Sequence, residues 1–471
     1  MAKLNISNLT DITNGLICKG AVSDSQMPLS AVSESINFNF DSIGNAKTRL
    51  GTTLLGNQIT PSTDITGLYE FRDNDNTYNR IMAVCTTVLY YLDSATWTSK
   101  RTGLTSGSKA DFTSFLDYVW MVNGTEATAI WDGSSADFLT TGQASDAPKG
   151  SYIENFRSRV WILDDNDRLY YSSLPDTNLD ITWDTTNDWI DISPQDGNKS
   201  SGLVRDKNSL LVFKNNYIYR VYSPQDTEPD PKVHIGTYSN RSIVEGKNGI
   251  YFHHPTGIYR YLDGGVEDIS RPISDFIDAV PTSQYAEVCG WTDGDHIYHS
   301  LGTLTVNGIS YTNVVSRYTI SSKVWTIYSY PTKFLCSSNY DDGTTLFRLV
   351  GDDDGNVSKM NVGNTDNGTP IFFSLISRPY TIDGLFSTRK SISQMGLSHE
   401  RAQGGVLSYK VDNESDNKFR TLHIIKEDIS KPFSCDIRGN KIWFRLQGVS
   451  SGEPITWNGI EILESTSEII I

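Results

Sequence analysis

The sequence is short of the features that mark several large protein classes. Its 471 residues hold five cysteines, at 18, 85, 289, 336 and 435, with no CxxC pair and no even count. This argues against a disulfide scaffold and against a zinc site, and suggests assembly in a reducing compartment. No 18 apolar residues run together, so no membrane span is expected. The opening "MAKLNISNLTDITNGLICKG" lacks the basic-then-apolar order of a signal peptide. Positive charge is also scarce, with 40 Lys+Arg against 56 Asp+Glu and a net charge of −16. A freely diffusing nucleic-acid binder normally has the opposite sign, because affinity comes mainly from neutralising phosphates. An acidic protein can still surround DNA without gripping it, since like charge keeps a passing polyanion from sticking. From residue 371 onward 12 Lys+Arg meet 12 Asp+Glu, so the first 370 residues, with 28 against 44, carry the whole imbalance.

Methionine is rare at 6, whereas 24 Tyr, 10 Trp and 37 Gly are present, with Asn, Asp, Ser and Thr crowding the gaps between apolar runs. Aromatic and β-branched residues suit pleated surfaces, and the small polar residues suit tight turns. One plan recurs: an apolar-aromatic strand, a polar turn, then a second strand rich in Tyr or Trp. It appears in "IMAVCTTVLYYLD" (81–93), "YVWMVNGTEATAIWDG" (118–133), "RVWILDDNDRLYYSS" (159–173) and "SLLVFKNNYIYRVYS" (209–223). It returns in "GIYFHHPTGIYRYLD" (249–263), in 296–329 and in "TLFRLVGDDDGNVSKMNVG" (345–363). Between the first strands, from Ile81 through Val119, Val160, Leu210, Ile250 and Ile297 to Leu346, the steps are 38, 41, 50, 40, 47 and 49 residues. A four-stranded propeller blade needs about 40–50 residues. The expected fold is therefore all-β: an irregular β-propeller of six or seven blades over 67–369, which closes on itself and removes exposed sheet edges.

Two segments lie outside the array. Residues 1–66 read as an N-terminal arm and a first strand pair, Asn37–Phe40 with Ala46–Leu50, joined by "DSIG"; the first 30 residues look like an extended arm that needs a partner surface. Residues 370–471 read as a β-sandwich with strands "IFFSLIS", "GVLSYKVD", "RTLHIIK", "KIWFRLQGV" and "WNGIEILE". Helix is scarce; "SRPISDFIDAV" (270–280), with Ser270 as N-cap and Pro272 near the first turn, is the best candidate.

No catalytic, cofactor-binding or metal-binding residue is assigned. GxSxG, HExxH, GxxxxGK[ST] and GxGxxG are missing. The acidic turns "DDND" (164–167) and "DDDGN" (352–356) lack the twelve-residue spacing of a calcium loop and are read as hairpin turns. His253 and His254 are read as turn residues of one hairpin, because other copies carry "DDND" or "KNN" there. His296 and His299, three apart on a strand, fall on opposite faces, a poor arrangement for a shared metal. Trp120, Trp131, Trp161, Trp291 and Trp325 are read as packing blade on blade rather than lining a carbohydrate groove.

The order of these parts resembles a known family. A polar arm precedes "SESINFNFDSIGNAKTRLGT" (33–52), with its Asn-rich strand and R-x-G; an irregular propeller contains "EDISRPISDFI" (267–277); a β-sandwich ends in "WNGIEILE" (457–464). This pattern is similar to the packaged-DNA stabilisation and tail-nozzle proteins of short-tailed bacteriophages. The resemblance implies a non-enzymatic virion tail protein without cofactors, assembled in the host bacterial cytoplasm. Copies would form a ring, a hexamer, below the portal and its adaptor. That ring would continue and close the DNA channel, contact passing double-stranded DNA without specific binding, and anchor spikes or fibres. The alternative is a propeller that binds or depolymerises carbohydrate during receptor recognition, which needs a carboxylate pair or an aromatic cluster at one mouth.

Overall fold

A computed structural model describes residues 8–9, 12–18, 20–23, 26–40, 44–193, 196–226, 231–380, 388–402, 404–412, 414, 418–426, 431–450 and 452–469. The chain is all-β, and its one α-helix among the described residues is the short Ser274–Asp278, entered through a 3-10 turn at Arg271–Ile273. Ser270 does not cap it as expected. Its hydroxyl instead donates to Asp268 and accepts from the Ile258 N–H, so it fastens a strand rather than a helix end.

Seven small antiparallel units follow one another, with first strands Ile65–Arg72, Asp111–Phe115, Tyr152–Phe156, Ser200–Asp206, Val244–Gly246, Cys289–Thr292 and Phe334–Asp341. In each, the recurring hairpin of the sequence supplies the second and third strands. The hairpins are apolar on both faces because each unit packs between two others. Leu210 and Val212 join Trp161 and Leu163 of the third unit, while Leu211 and Phe213 join Ile250 and Phe252 of the fifth. The same alternation divides the buried side chains into one apolar cluster for every adjacent pair, and Ile65, Leu68 and Ile81 of the first unit close the circle against Cys336, Leu349 and Val357 of the seventh. Complete burial of side chains such as Trp120, Trp161 and Phe213 is worth about 1.5–3 kcal/mol each. The arrangement is propeller-like.

The innermost strands are stitched around the circle by polar contacts. Ala110 N–H donates to Thr66 O at 2.9 Å, Asn155 donates to Ser114 O at 2.9 Å, and Arg205 donates to Asn155 at 3.1 Å. Further round, Leu203 N–H meets Asn240 at 3.0 Å, Ser239 donates to Val288 O at 2.8 Å, and Ser337 donates to Gly290 O at 2.8 Å. The second unit has three strands plus a single bridge, Ile130 with Leu139. The seventh takes its outer strand from far upstream: Thr52–Leu54 pairs with Val357–Met360, so the beginning of the array holds its end.

Strands after residue 369 form two sheets that share one core. In the first, Thr388–Glu400 lies between Phe433–Gly439 and Thr456–Ile469, and Ala46–Thr48 and Phe38–Phe40 extend it. In the second, Ala31–Ile36, Thr369–Ser377, Ile442–Ser450, Val406–Val411 and Arg420–Ile424 lie in order. Phe38, Phe373, Ile392, Leu407, Ile437 and Phe444 are buried between them. Phe38–Phe40 pairs with Ala46–Thr48 as expected, and residues 41–43 of the intervening "DSIG" lie outside the described residues. The upstream segment needs no foreign surface where it is described: Asn8–Leu9 pairs with Thr456–Ile469, and Gly15–Leu16 pairs with Ala31–Ile36.

Candidate functional site

The axis of the ring is where a propeller usually meets a ligand, so its polar lining is the candidate site. At the end where the innermost strands begin, side chains span the axis. Arg241, just ahead of the fifth unit, donates to Leu335 O of the seventh at 3.1 Å and to Thr66 O of the first. Lys109, ahead of the second unit, pairs with Glu287, ahead of the sixth, at 2.9 Å. Asn240 reaches Asp111 of the second unit at 3.4 Å. Most of these partners are three places apart, the largest separation that seven positions allow. The axis is bridged at this end.

In and beside the bridge, two carboxyls have raised pKa values. Burial pushes Asp111 up to about 6, although N–H groups of Ile153 and Phe112 and the nearby Arg241 oppose the shift. Burial lifts Glu154 to about 7, assisted by Asp111 and opposed by Arg205. Two carboxyls with raised pKa are what an acid-base catalyst needs. Asp111, however, is held by Ile153 N–H at 2.9 Å and by Asn240, with its charge facing Arg241, so its hydrogen bonds are already committed to the fold.

The residues singled out in the sequence are dispersed. His253 and His254 are not turn residues: they end the strand Gly249–His254, and the turn begins at Pro255. The strand stays buried to its end, with His253 at 1 % exposure. Burial and the neighbouring His299 and His254 pull His253 down to about 3, and burial pulls His299 down to about 4. His299 Nε2 donates to Ser242 O at 2.9 Å. Half-exposed His296 faces the other way and pairs with Asp293 at 2.7 Å. The five tryptophans are all buried and enter the clusters between units.

In the turn 164–167 the Asp164 carboxylate accepts from Asn166 and Arg168 N–H, and in 352–356 Asp352 accepts from Asp354 and Asn356 N–H, as Asx turns require. Asp167 does more. It pairs with fully buried Lys214 of the next unit at 3.0 Å, which also meets Asp196 at 3.1 Å. A lysine ending the apolar run "SLLVFK" was the signal for this pair. Among the described residues no three His, Cys, Asp or Glu side chains stand close enough to hold a metal ion. No described helix is long and apolar enough to cross a membrane.

The other concentration of charge lies at the seam between the ring and the two downstream sheets. Arg49, buried at 2 %, makes a bidentate pair with Asp366 at 2.8 and 2.6 Å. Its Nε donates to Asn37 at 2.8 Å, another N–H reaches Ser329 O at 2.8 Å, and the guanidinium stacks 3.9 Å over Tyr330. Asn37, Arg49 and Gly51 belong to the "INFNF…TRLG" stretch on which the resemblance rests.

No protein-family model and no curated protein matches the chain. Solved structures similar to it include the computationally designed Ika8 protein, at 10% identity over 70% of this chain and 96% of that one, TM-score 0.41. YCF48 from Cyanidioschyzon merolae is 12% identical over 66% and 98%, TM-score 0.41. A chain of the Mitotic Checkpoint Complex is 14% identical over 67% and 95%, TM-score 0.42.

Proposed function

We propose that this chain is a structural component of a short-tailed bacteriophage tail, a nozzle or hub subunit. It consists of a seven-bladed propeller tied to a C-terminal β-sandwich. The observation that carries the reading is the bridged axis. Arg241, Lys109 and Asn240 hold opposite blades together across the axis, which makes the propeller a rigid block. In such a ring DNA runs between copies, not through a propeller. The acidic excess of the first 370 residues suits that channel, because repulsion keeps the duplex from sticking. The balanced charge of the sandwich suits contacts with adaptor proteins and fibres. Mass spectrometry and electron microscopy of purified particles test the reading. It requires the chain in the tail as a ring of copies, and its absence from particles carrying the intact tail would sink it.

One observation favours the carbohydrate reading instead, the raised pKa of Glu154 beside Asp111. A glycan array and a polysaccharide depolymerisation assay separate the two. The tail reading predicts no activity and no loss on Glu154→Gln.

A further inference from the structure

Two histidines face the contact between the fifth and sixth units, where Val244, Tyr251 and Ile258 pack on Val288, Ile297 and Leu301. His253 ends a strand of the fifth unit, His299 lies in the long second strand of the sixth, and both are out of water. Neither ring nitrogen of His253 has a hydrogen-bond partner. His299 donates from Nε2 to Ser242 O at 2.9 Å, so Nδ1 is its bare nitrogen, and that atom has no partner either. The groups that act on His253 are His299 across the contact and His254 beside it, with the Tyr285 ring 6.1 Å away. On His299 it is the Ser242 carbonyl. Arg241 and Glu287, on the flanking turns, are engaged with Leu335 O and Lys109 instead, and no carboxylate among the described residues acts on either ring. A proton added here puts a charge in a dry contact without an acceptor, and a second proton repels the first.

The pair backs the segment that spans the axis. Thr237 donates to His253 O at 2.7 Å, the His253 N–H meets the Ser242 hydroxyl at 3.4 Å, and the Ser242 carbonyl takes the His299 bond. Between these anchors Asn240 reaches Asp111 of the second unit, and Arg241 donates to Leu335 O of the seventh and Thr66 O of the first. Residues 237–242 thus hold the histidines on one side and bridge the circle on the other.

We propose that the contact between the fifth and sixth units is an acid-sensitive latch: protonation of His253 and His299 parts the two units there and frees residues 237–242 from the axis. Closed, the latch needs both rings neutral. Open, each ring returns to its ordinary value of about 6.5 and takes up a proton as pH falls. With closed-state values of about 3 and about 4, each ring favours the open form about 20-fold more at pH 5 than at pH 7. The buried charge where the third and fourth units meet gives no such response. Burial opposes it, but the Asn198 N–H and Lys214 hold the Asp196 carboxyl below its ordinary value, so that pair stays charged at pH 5.

Hydrogen exchange of the full chain at pH 7 and pH 5, corrected for the intrinsic pH dependence of amide exchange, tests the latch. Protection of Val244–Gly246, Gly249–His254 and Cys289–Thr292 is expected to fall by about tenfold or more at pH 5, with Tyr152–Phe156 and Ser209–Lys214 unchanged. His253→Phe and His299→Gln are each expected to lessen that loss, and together to remove it; glutamine keeps a donor for Ser242 O. His296→Gln, at the half-exposed histidine paired with Asp293, should leave it intact. Asp111 and Glu154 take up protons over the same range. Loss that persists in the histidine variants would therefore belong to those carboxyls and overturn the latch. The unaltered protein decides separately: even loss over all seven units, or no loss, would overturn it as well.

Discussion

Arg49 lies against Asp366, 317 positions further along the chain, through two parallel N–H···O bonds with both side chains out of water. The upstream segment thus crosses the seam and is pinned between Ser329 of the sixth unit and the strand that leads into the downstream sheets. Removing one member of such a pair leaves an uncompensated buried charge, a loss of about 3–5 kcal/mol. Arg49→Ala is expected to lose that much in urea unfolding. Arg49→Lys is expected to lose roughly half, because lysine keeps the charge but not the fork or the stacking on Tyr330.

Gly51 sits two residues on, and a Cβ there would stand 1.9 Å from the Thr365 carbonyl oxygen. Gly51→Val should therefore loosen the pairing of Thr52–Leu54 with the seventh unit, at about 1–3 kcal/mol. Hydrogen exchange would read it as faster exchange in Val357–Met360 than in the third unit.

The circle was legible in the sequence where both faces of a strand are buried. Runs such as "SLLVF" and "RVWIL" carry apolar residues for two neighbours at once, and all seven such hairpins take equivalent places. The innermost strands were not legible: Val244–Gly246 and Cys289–Thr292 are short and turn one face to a polar axis. Thr388–Glu400 and Phe433–Gly439 were also missed, since polar residues interrupt them and Phe433–Gly439 is a sheet edge. The partner of Thr52–Leu54 has no local signal, because the pairing spans the array. His253 was misread because other hairpins carry polar turn residues at that place, whereas here the strand runs on to His254. Arg49 and Gly51 stood out as a motif, but their burial depends on Asp366, which no spacing announces.

The buried histidines and axial carboxyls predict a balance in acid. His253 and His299 have folded pKa values of about 3 and 4, below the unfolded value of about 6.5. Their stabilisation is complete above 6.5 and is lost as pH falls, by about 2 kcal/mol each at pH 5. Glu154 and Asp111, at about 7 and 6, lie above their unfolded values of about 4. Their contribution is present at low pH and is lost as pH rises through the folded values, so acidification to pH 5 returns about 2 and 1 kcal/mol. Between pH 7 and 5 these two opposing contributions should largely offset each other. Glu154→Gln should make it fall with acid and His253→Phe should make it rise, as read from urea midpoints at the two pH values.

All five thiols are free, four of them buried, and burial raises Cys289 to about 12 and Cys336 and Cys435 to about 11. Since the thiolate is the reactive form, the native protein should react with a disulfide reagent at pH 8 far more slowly than in urea. Rapid reaction of Cys289 or Cys336 in native buffer would contradict the packing of the sixth and seventh units.

The most direct measurement is an electron-microscopy map of the protein in assembled particles. A ring of copies is expected, each a closed circle of seven sheets held by Thr52–Leu54, with Arg241 and Lys109 spanning its axis and the open channel running between copies. Sheets that fail to close, or a polymer threaded through a single copy's axis, would contradict it.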